Sequence, residues 1–273
     1  MEQNERLNYL VNAFLAETKE YQRPKEELGT EQKRALLRAL MNVRLPKPMD
    51  PEVLRIQDEY LLERNREQGI HPYHEIPTVV EEGSQHPYGE RISLWQGDIT
   101  TLACDAIVNA ANNEMLGCFV PLHSCIDNCI HTYAGVQLRE ECDAKMKHLR
   151  MRYGNTYVQP VGLPLLTKGY NLPAAHVIHV AGPIVYGRLR EKEKKQLADC
   201  YRNVLDLCRE NGIRSVAFCC ISTGVFHFPN EAAAEIAVNT VTEWIRENPD
   251  CMERVIFNVF KEEDREFYQK QLF

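Results

Sequence analysis

From Arg91 to the C-terminus the chain alternates short apolar runs with amphipathic stretches, and no other feature limits its fold so tightly. "RISLWQGDI" and "CDAIVNAA" read as strands, followed by one long helical segment, "DNCIHTYAGVQLREECDAKMKHL". "NTYVQPVG" and "AHVIHVAGP" read as strands, "EKEKKQLADCYRNVLDLCREN" as a helix ending at Gly212, and "RSVAFCCIS" as a fully buried strand. The helix "NEAAAEIAVNTVTEWIREN", the strand "RVIFNVF" and the closing acidic helix "KEEDREFYQKQLF" complete the pattern. Strands separated by helices run mostly parallel, because each crossover returns the chain to the same end of the sheet and lays a helix on its face. The expectation is an α/β domain over residues 91–273, its sheet covered on both sides.

The preceding ninety residues differ in style. Leu7, Leu10, Val11, Phe14 and Leu15 recur at helical spacing. "GTEQKRALLRALMN" predicts a second helix with Thr30 as N-cap and Leu36, Leu37 and Leu40 on one face. "MDPEVLRIQDEYLLERNREQG" predicts a third, with Asp50 as cap, Pro51 in the first turn and Gly69 at the end. Such short stripes must bury against each other and against the following domain. Residues 70–90, with three prolines and two glycines, form a linker or an extended wrap, and His71, His74 and His86 within it are expected to be solvated loop histidines.

A formal net charge of -7 argues against broad binding to nucleic acid, which needs a basic surface. No apolar run reaches the length of a membrane-spanning helix, and the acidic, polar start "MEQNERLNYLVNAFL" does not resemble a signal peptide. The chain has ten cysteines. With no secretion signal, Cys104, Cys200, Cys208, Cys219, Cys220 and Cys251 read as small buried hydrophobes in a reducing cytoplasm. Only the cluster at 118–129 has ligand-like company.

Three loops follow the C-terminal ends of expected strands, where open α/β sheets bind ligands. "QGDIT" carries Asp98, suited to accept from an exocyclic amine or to cap a turn. "VNAANNEMLG" carries Asn109 and Asn112, whose amides both donate and accept and so suit a hydroxyl-rich ligand, though Asn also favours turns. Asp127 opens the following helix, where an N-cap role competes with chemistry. "ISTGVFHFPN" runs from an apolar strand into Ser-Thr-Gly and a helix near Pro229. There Gly224 offers the unusual angles that let successive amides converge on phosphate. Neither a Walker loop nor a Rossmann fingerprint is present.

Taken in order, "GDIT", "VNAAN", "IDNCIHTYAG", "HVAGP" and "STGVFHFP" resemble the macrodomain family over about residues 91–273. The resemblance implies a three-layer α/β/α sandwich with a mixed, mostly parallel sheet that binds ADP-ribose, and in many members hydrolyses its bond to a protein side chain. It would place the adenine amine on Asp98 beside the Ile99 backbone, the distal ribose on Asn112, and the diphosphate on the amides of Ser222, Thr223, Gly224, Val225 and Phe226. Asp127 would match the Asp of hydrolytic members, and Phe260 the aromatic against adenine, unless Phe260 is simply core.

Where the family carries a glycine loop, this chain reads "GCFVPLHSCID". Cys118, His123 and Cys125 form Cys-x4-His-x-Cys, a soft donor set suited to one tetrahedral zinc. Three protein ligands leave a fourth position open, as in catalytic zinc sites. Cys129 competes as a ligand but is expected to be buried, His131 is expected to be structural, and His227 would lie near the ribose or near the metal. This departure resembles the zinc-dependent ADP-ribosylhydrolases of bacteria and fungi, which also carry a helical extension. Some accompany sirtuin-like transferases whose marks they remove. The implied function is a glycosidase-type, zinc-dependent hydrolase that removes mono-ADP-ribose from a modified protein, with Asp127 and Asn112 as catalytic residues. The alternative is a non-catalytic ADP-ribose reader whose zinc only braces the loop.

Overall fold

The computed structural model describes residues 1–18 and 27–273. Three helices come first: α1 (Gln3–Glu17), α2 (Thr30–Val43) and α3 (Pro51–Gln68). Asp50 caps α3 by accepting from the backbone N–H groups of Glu52 (2.9 Å) and Val53 (3.3 Å), and Gly69 ends it at φ 90. The α2 cap differs from expectation. Gly29 holds that position, its N–H donating to Gln32 Oε1 at 2.9 Å, and Thr30 is the first residue inside the helix. The apolar stripes meet as expected: Leu7, Leu10, Val11, Phe14 and Leu15 pack with Leu37, Leu40 and Met41 and with Ile56, Tyr60 and Leu61, while Leu36 is half-buried beside them. Burying each such side chain contributes about 1.5–3 kcal/mol. Val136, from the body of the protein, completes this cluster.

Residues 70–90 lie along the main body as an extended wrap. A two-residue strand β1 (His71–Pro72) pairs in parallel with β3 (Leu102–Ala103). Ile76 and Val79 enter the main core, and Ser84 Oγ donates to the Leu272 carbonyl. Two of the wrap's histidines are solvated as expected: His71 and His74 are exposed, although the His71 ring centroid lies 5.3 Å from that of Trp95, while His86 is half-buried with Nε2 3.1 Å from Thr242 Oγ1.

The main sheet contains β2 (Ile92–Gln96), β4 (Ala106–Ala111), β5 (Leu165–Lys168), β6 (His176–Ala181), β7 (Ser215–Phe218) and β8 (Arg254–Val259), in the order β2-β8-β7-β4-β6-β5. All pairs are parallel except β5 with β6. The sheet is flanked by α4 (Ile126–Ala134), α5 (Val136–Tyr153), α6 (Glu191–Glu210), α7 (Asn230–Glu247) and α8 (Glu262–Leu272). It is the mixed, mostly parallel sandwich expected from the sequence. β4, β6, β7 and β8 are almost wholly buried, as strands covered on both faces must be.

Two elements depart from the sequence expectation. "NTYVQPVG" is a turn, not a strand: Pro160 offers no N–H to a ladder, and Gln159 Nε2 instead donates to the carbonyls of Leu163 (3.2 Å) and Pro164 (3.4 Å). The antiparallel strand starts later, at Leu165. The long helical segment is two helices, broken at Gly135 with φ 96 and ψ 173. A single helix would satisfy propensity, but the break lets the Val136 N–H donate to Gln57 Oε1 of α3 at 3.1 Å.

Around Gly135, Gln57, Asp58, Gln137 and Asn171 form a close amide and carboxylate network. A β-carbon on Gly135 would lie 2.6 Å from Gln137 Oε1, 2.7 Å from Gln57 Nε2 and 2.9 Å from Asn171 Nδ2. Gly135→Ala should therefore lose about 1–3 kcal/mol in urea unfolding, from backbone strain at positive φ plus this crowding. An unchanged midpoint would show that the joint between α4 and α5 carries no such constraint.

Candidate active site and metal centre

Parallel pairing brings the C-terminal ends of β2, β8, β7, β4 and β6 to one edge in that spatial order. Every loop singled out in the sequence leaves from this edge. After β2, Asp98 caps the short turn Ile99–Thr101: its Oδ1 accepts from the Thr100 N–H (2.9 Å) and hydroxyl (2.7 Å). The cap and the ligand role are compatible, because both bonds fall on one oxygen and Oδ2 is left to accept from an amine. Ile99 is buried behind it. Phe260, one residue past β8, is 76% exposed, so it is not core, and its ring is available as a stacking face.

The loop after β7 is shaped differently from expectation. The left-handed residues are Ser222 (φ 66) and His227 (φ 55), whereas Gly224 does not have positive φ. The turn is held by bonds from the Phe228 N–H to the Ser222 carbonyl (3.0 Å) and from the His227 N–H to the Gly224 carbonyl (3.1 Å). Ser222 is buried. Thr223 and Phe226 are half-buried, while Gly224, Val225 and His227 are exposed. Gly182, at the end of β6, is required by this arrangement, since a β-carbon there would lie 2.0 Å from Ser222 Oγ. The Val185 N–H donates to the Phe226 carbonyl at 2.9 Å and ties the two loops together.

After β4 the chain passes Asn112, whose Oδ1 accepts from the Glu114 N–H (3.0 Å) and whose Nδ2 donates to the Gly117 carbonyl (3.3 Å). The loop then carries Cys118, His123 and Cys125 into one cluster. Their three donor atoms all lie within 4.8 Å of one another, and Cys118 Sγ is 3.7 Å from His123 Nδ1. Zinc–sulfur and zinc–nitrogen bonds of roughly 2.3 and 2.0 Å at a tetrahedral angle would span roughly that separation. Two sulfurs and one imidazole, all half-buried, fit a zinc ion in chemistry and in spacing. Burial pushes the Cys125 thiol up to about 12, and a divalent cation reverses that preference by deprotonating its thiol ligands. Cys129 lies outside this cluster, half-buried, with its sulfur accepting from Arg38 at 3.5 Å.

Asp127 does not cap α4. Cys125 occupies the cap, its sulfur accepting from the Asn128 N–H at 3.4 Å, and Asp127 is the second residue of the helix, only 4% exposed. Burial raises its carboxyl to about 6, against the pull of the Asn109 amide and the Arg139 guanidinium. A directional chain runs behind it. Thr167 Oγ1 bonds the Val177 carbonyl (3.3 Å), so the hydroxyl proton is spent there and its oxygen accepts from His179 Nε2 (3.0 Å). His179 is then protonated at Nε2, and its Nδ1 accepts from Asn109 Nδ2 (3.0 Å), which also donates to Asp127 Oδ1 (2.7 Å). His131 Nε2 stands 3.5 Å from the same carboxylate oxygen, beyond good hydrogen-bond geometry.

His131, Cys142 and His179 form a second compact group of potential ligands, fully buried. It is a polar network and not a metal centre, because both nitrogens of His179 are already committed to Asn109 and Thr167. Sequence reasoning recognised Asn109 only as a loop amide and missed His179, Arg38 and Arg139. Asn109 lies inside β4, fully buried, and an Asn in an apolar strand was the signal that could have found it. Among the cysteines expected to be buried, Cys104, Cys200, Cys208 and Cys219 are so, and Cys220 and Cys251 are half-buried.

Comparison with known proteins agrees with this fold. Residues 108–237 match the family model described as Macro domain. A Treponema medium protein named Protein-ADP-ribose hydrolase is 45% identical over 270 residues, covering 99% of each chain. A Staphylococcus aureus (strain MSSA476) protein of the same name is 41% identical, covering 97% of this chain and 94% of its own. A Trypanosoma brucei macrodomain solved in complex with ADP-ribose superposes with a TM-score of 0.64 at 28% identity, over 90% of this chain and 97% of that one. No helix among the described residues is long and apolar enough to cross a membrane.

Burial holds His179 far below its ordinary value, at about 3. The unfolded imidazole titrates near 6.5. On acidification below about 6.5 the unfolded chain takes up a proton that the native site refuses, so stability falls toward low pH. For one fully engaged proton the slope is about 1.4 kcal/mol per pH unit. His179→Gln should remove this contribution, giving a shallower loss of unfolding free energy between pH 7 and 5 than the parent. Parallel curves would mean that His179 is not held neutral.

Proposed function

We propose that this chain, which belongs to the macrodomain family, is a hydrolase that releases ADP-ribose from modified proteins and depends on one zinc ion held by Cys118, His123 and Cys125. The observation that carries this reading is the soft donor cluster standing at the start of α4, two residues before the buried carboxylate of Asp127, on the edge where the ligand loops converge. Full-length relatives named Protein-ADP-ribose hydrolase support the reaction class.

On this reading Asp98 Oδ2 accepts from the adenine amine beside the Ile99 backbone, and Phe260 lies against the base. The Ser222–Phe226 backbone N–H groups hold the diphosphate, which needs local amides and not a basic surface. The Asn112 amide fixes the distal ribose. Cys118, His123 and Cys125 would hold the zinc, which would supply Lewis-acid polarisation of an oxygen at this edge. Asp127, with Oδ1 fixed by Asn109, takes a proton from the attacking water. The water oxygen bonds to the anomeric carbon as the bond from that carbon to the protein acceptor breaks, and the acceptor leaves with the electron pair. The substrate is ADP-ribose joined to a protein.

The purified protein is expected to carry about one zinc per chain, and Cys118→Ala or Cys125→Ala to lose it together with turnover. Metal analysis beside ADP-ribose release from a mono-ADP-ribosylated protein, with and without chelator, is the check. A metal-free preparation with full activity sinks the zinc assignment. Asp127→Asn should keep zinc and affinity for free ADP-ribose but lose about 10²–10⁴-fold in single-turnover release, since an amide takes no proton. Near-normal turnover would reduce Asp127 to a scaffold residue. Tight ADP-ribose binding with no release by the parent protein would make the chain a reader.

A further inference from the structure

We propose that the N-terminal helical unit braces the metal loop, with Arg38 and Asn42 of α2 as positioning residues, so that metal binding and docking of these helices reinforce each other. The inference rests on the zinc reading above. The loop from 112 to 125 belongs to no strand or helix, so its backbone groups must find partners elsewhere. Many of those partners trace back to α2.

Arg38 is the centre of the contact. Its Nη2 donates to the His123 carbonyl at 2.8 Å and to Asn128 Oδ1 at 2.9 Å, and its Nε approaches the same amide oxygen at 3.3 Å. With Oδ1 of Asn128 occupied by a cation, the other end of that amide must face the loop. There Asn128 Nδ2 donates to the carbonyls of Val120 (3.0 Å) and Cys118 (3.5 Å). One guanidinium thereby sets the peptide beside ligand His123 directly and the backbone at ligand Cys118 through a single side chain.

Asn42 acts one turn later on α2. It is 1% exposed, its Oδ1 accepts from the Leu122 N–H at 3.0 Å, and its Nδ2 donates to Thr132 Oγ1 of α4 at 3.0 Å. Leu122 is a non-glycine residue at φ 58, a conformation that persists only when its surroundings hold it. Arg139 of α5 closes the clamp. It donates to the Leu116 carbonyl at 2.8 Å on the loop side, and to the carbonyls of Met41 (3.1 Å), Asn42 (2.9 Å) and Arg44 (2.5 Å) at the end of α2. Those are the carbonyls a helix terminus leaves without partners, and a cation suits them.

A ligand set held by its surroundings binds metal more tightly than a slack one, and by reciprocity the metal stabilises whatever holds the ligands. The test is Arg38→Met in the full chain, which keeps the apolar stem and removes the donors. Arg34→Met is the control, because Arg34 lies one turn earlier and pairs with Glu31 and Glu67 and not with the loop. Zinc affinity is measured by chelator competition, with urea unfolding of the metal-free proteins run in parallel. Arg38→Met is expected to weaken zinc binding by about 10- to 100-fold, with affinity for free ADP-ribose and the unfolding midpoint of the metal-free protein close to those of the Arg34→Met control. Adding zinc to the parent protein should also slow hydrogen exchange along α2, and should do so less in Arg38→Met. Equal zinc affinity in the parent and Arg38→Met, or no zinc effect on exchange in α2, overturns the brace. A parent protein that binds no zinc overturns instead the metal assignment on which it rests.

Discussion

A backbone segment without secondary structure has to satisfy its own N–H and C=O groups, and the loop between β4 and α4 is under that constraint from Asn112 to Cys125. Its groups are taken up by side chains: Asn128 on the carbonyls of Cys118 and Val120, Arg38 on that of His123, Arg139 on that of Leu116, and Asn42 on the N–H of Leu122. Three helices contribute these groups, α2, α4 and α5, and each is packed by apolar contacts of its own. The geometry of the Cys118, His123 and Cys125 cluster follows from that arrangement. The helical unit before the wrap is therefore part of the site's architecture as well as a small core in its own right.

A second layer lies beneath the first. Asp127, Asn109, His179 and Thr167 form a buried line of hydrogen bonds whose donor directions are fixed from one end, the Val177 carbonyl. Placing a carboxylate at 4% exposure is costly unless it is hydrogen-bonded, and here the bond comes from an amide that is itself oriented by a neutral imidazole. Only Nε2-protonated His179 completes the line. Burial, which disfavours the charged form of both His131 and His179, keeps that tautomer available. The network thus supplies orientation to Asp127 without adding a charge next to it.

The alternation of apolar runs and amphipathic stretches after Arg91 determined the α/β class, because only a covered parallel sheet buries strands such as "RSVAFCCIS" on both faces. Asp50, Pro51 and Gly69 marked the ends of α3 through local backbone chemistry that needs no tertiary context. Two thiols and an imidazole within eight residues fit a thiol-bearing turn as well as a ligand set, and it was their place in a loop resembling the macrodomain ligand loop that singled out Cys118, His123 and Cys125, whose donor atoms the fold brings together. The tertiary structure decided what local rules leave open. Gly135 broke one helix into two since Gln57 of α3 needed the Val136 N–H, and Pro160 turned an apparent strand into a turn held by Gln159. Asp127 became a buried carboxylate and not a cap because Cys125 had taken the cap. His179 carries the same signal as Asn109, a polar residue in an apolar strand, but its pairing with Asn109 70 residues away does not show in the sequence, and Arg38, Asn42 and Arg139 each depend on partners 80 to 98 residues away along the chain. Hydrogen bonds across such separations are fixed only when the helices and strands that carry them have packed.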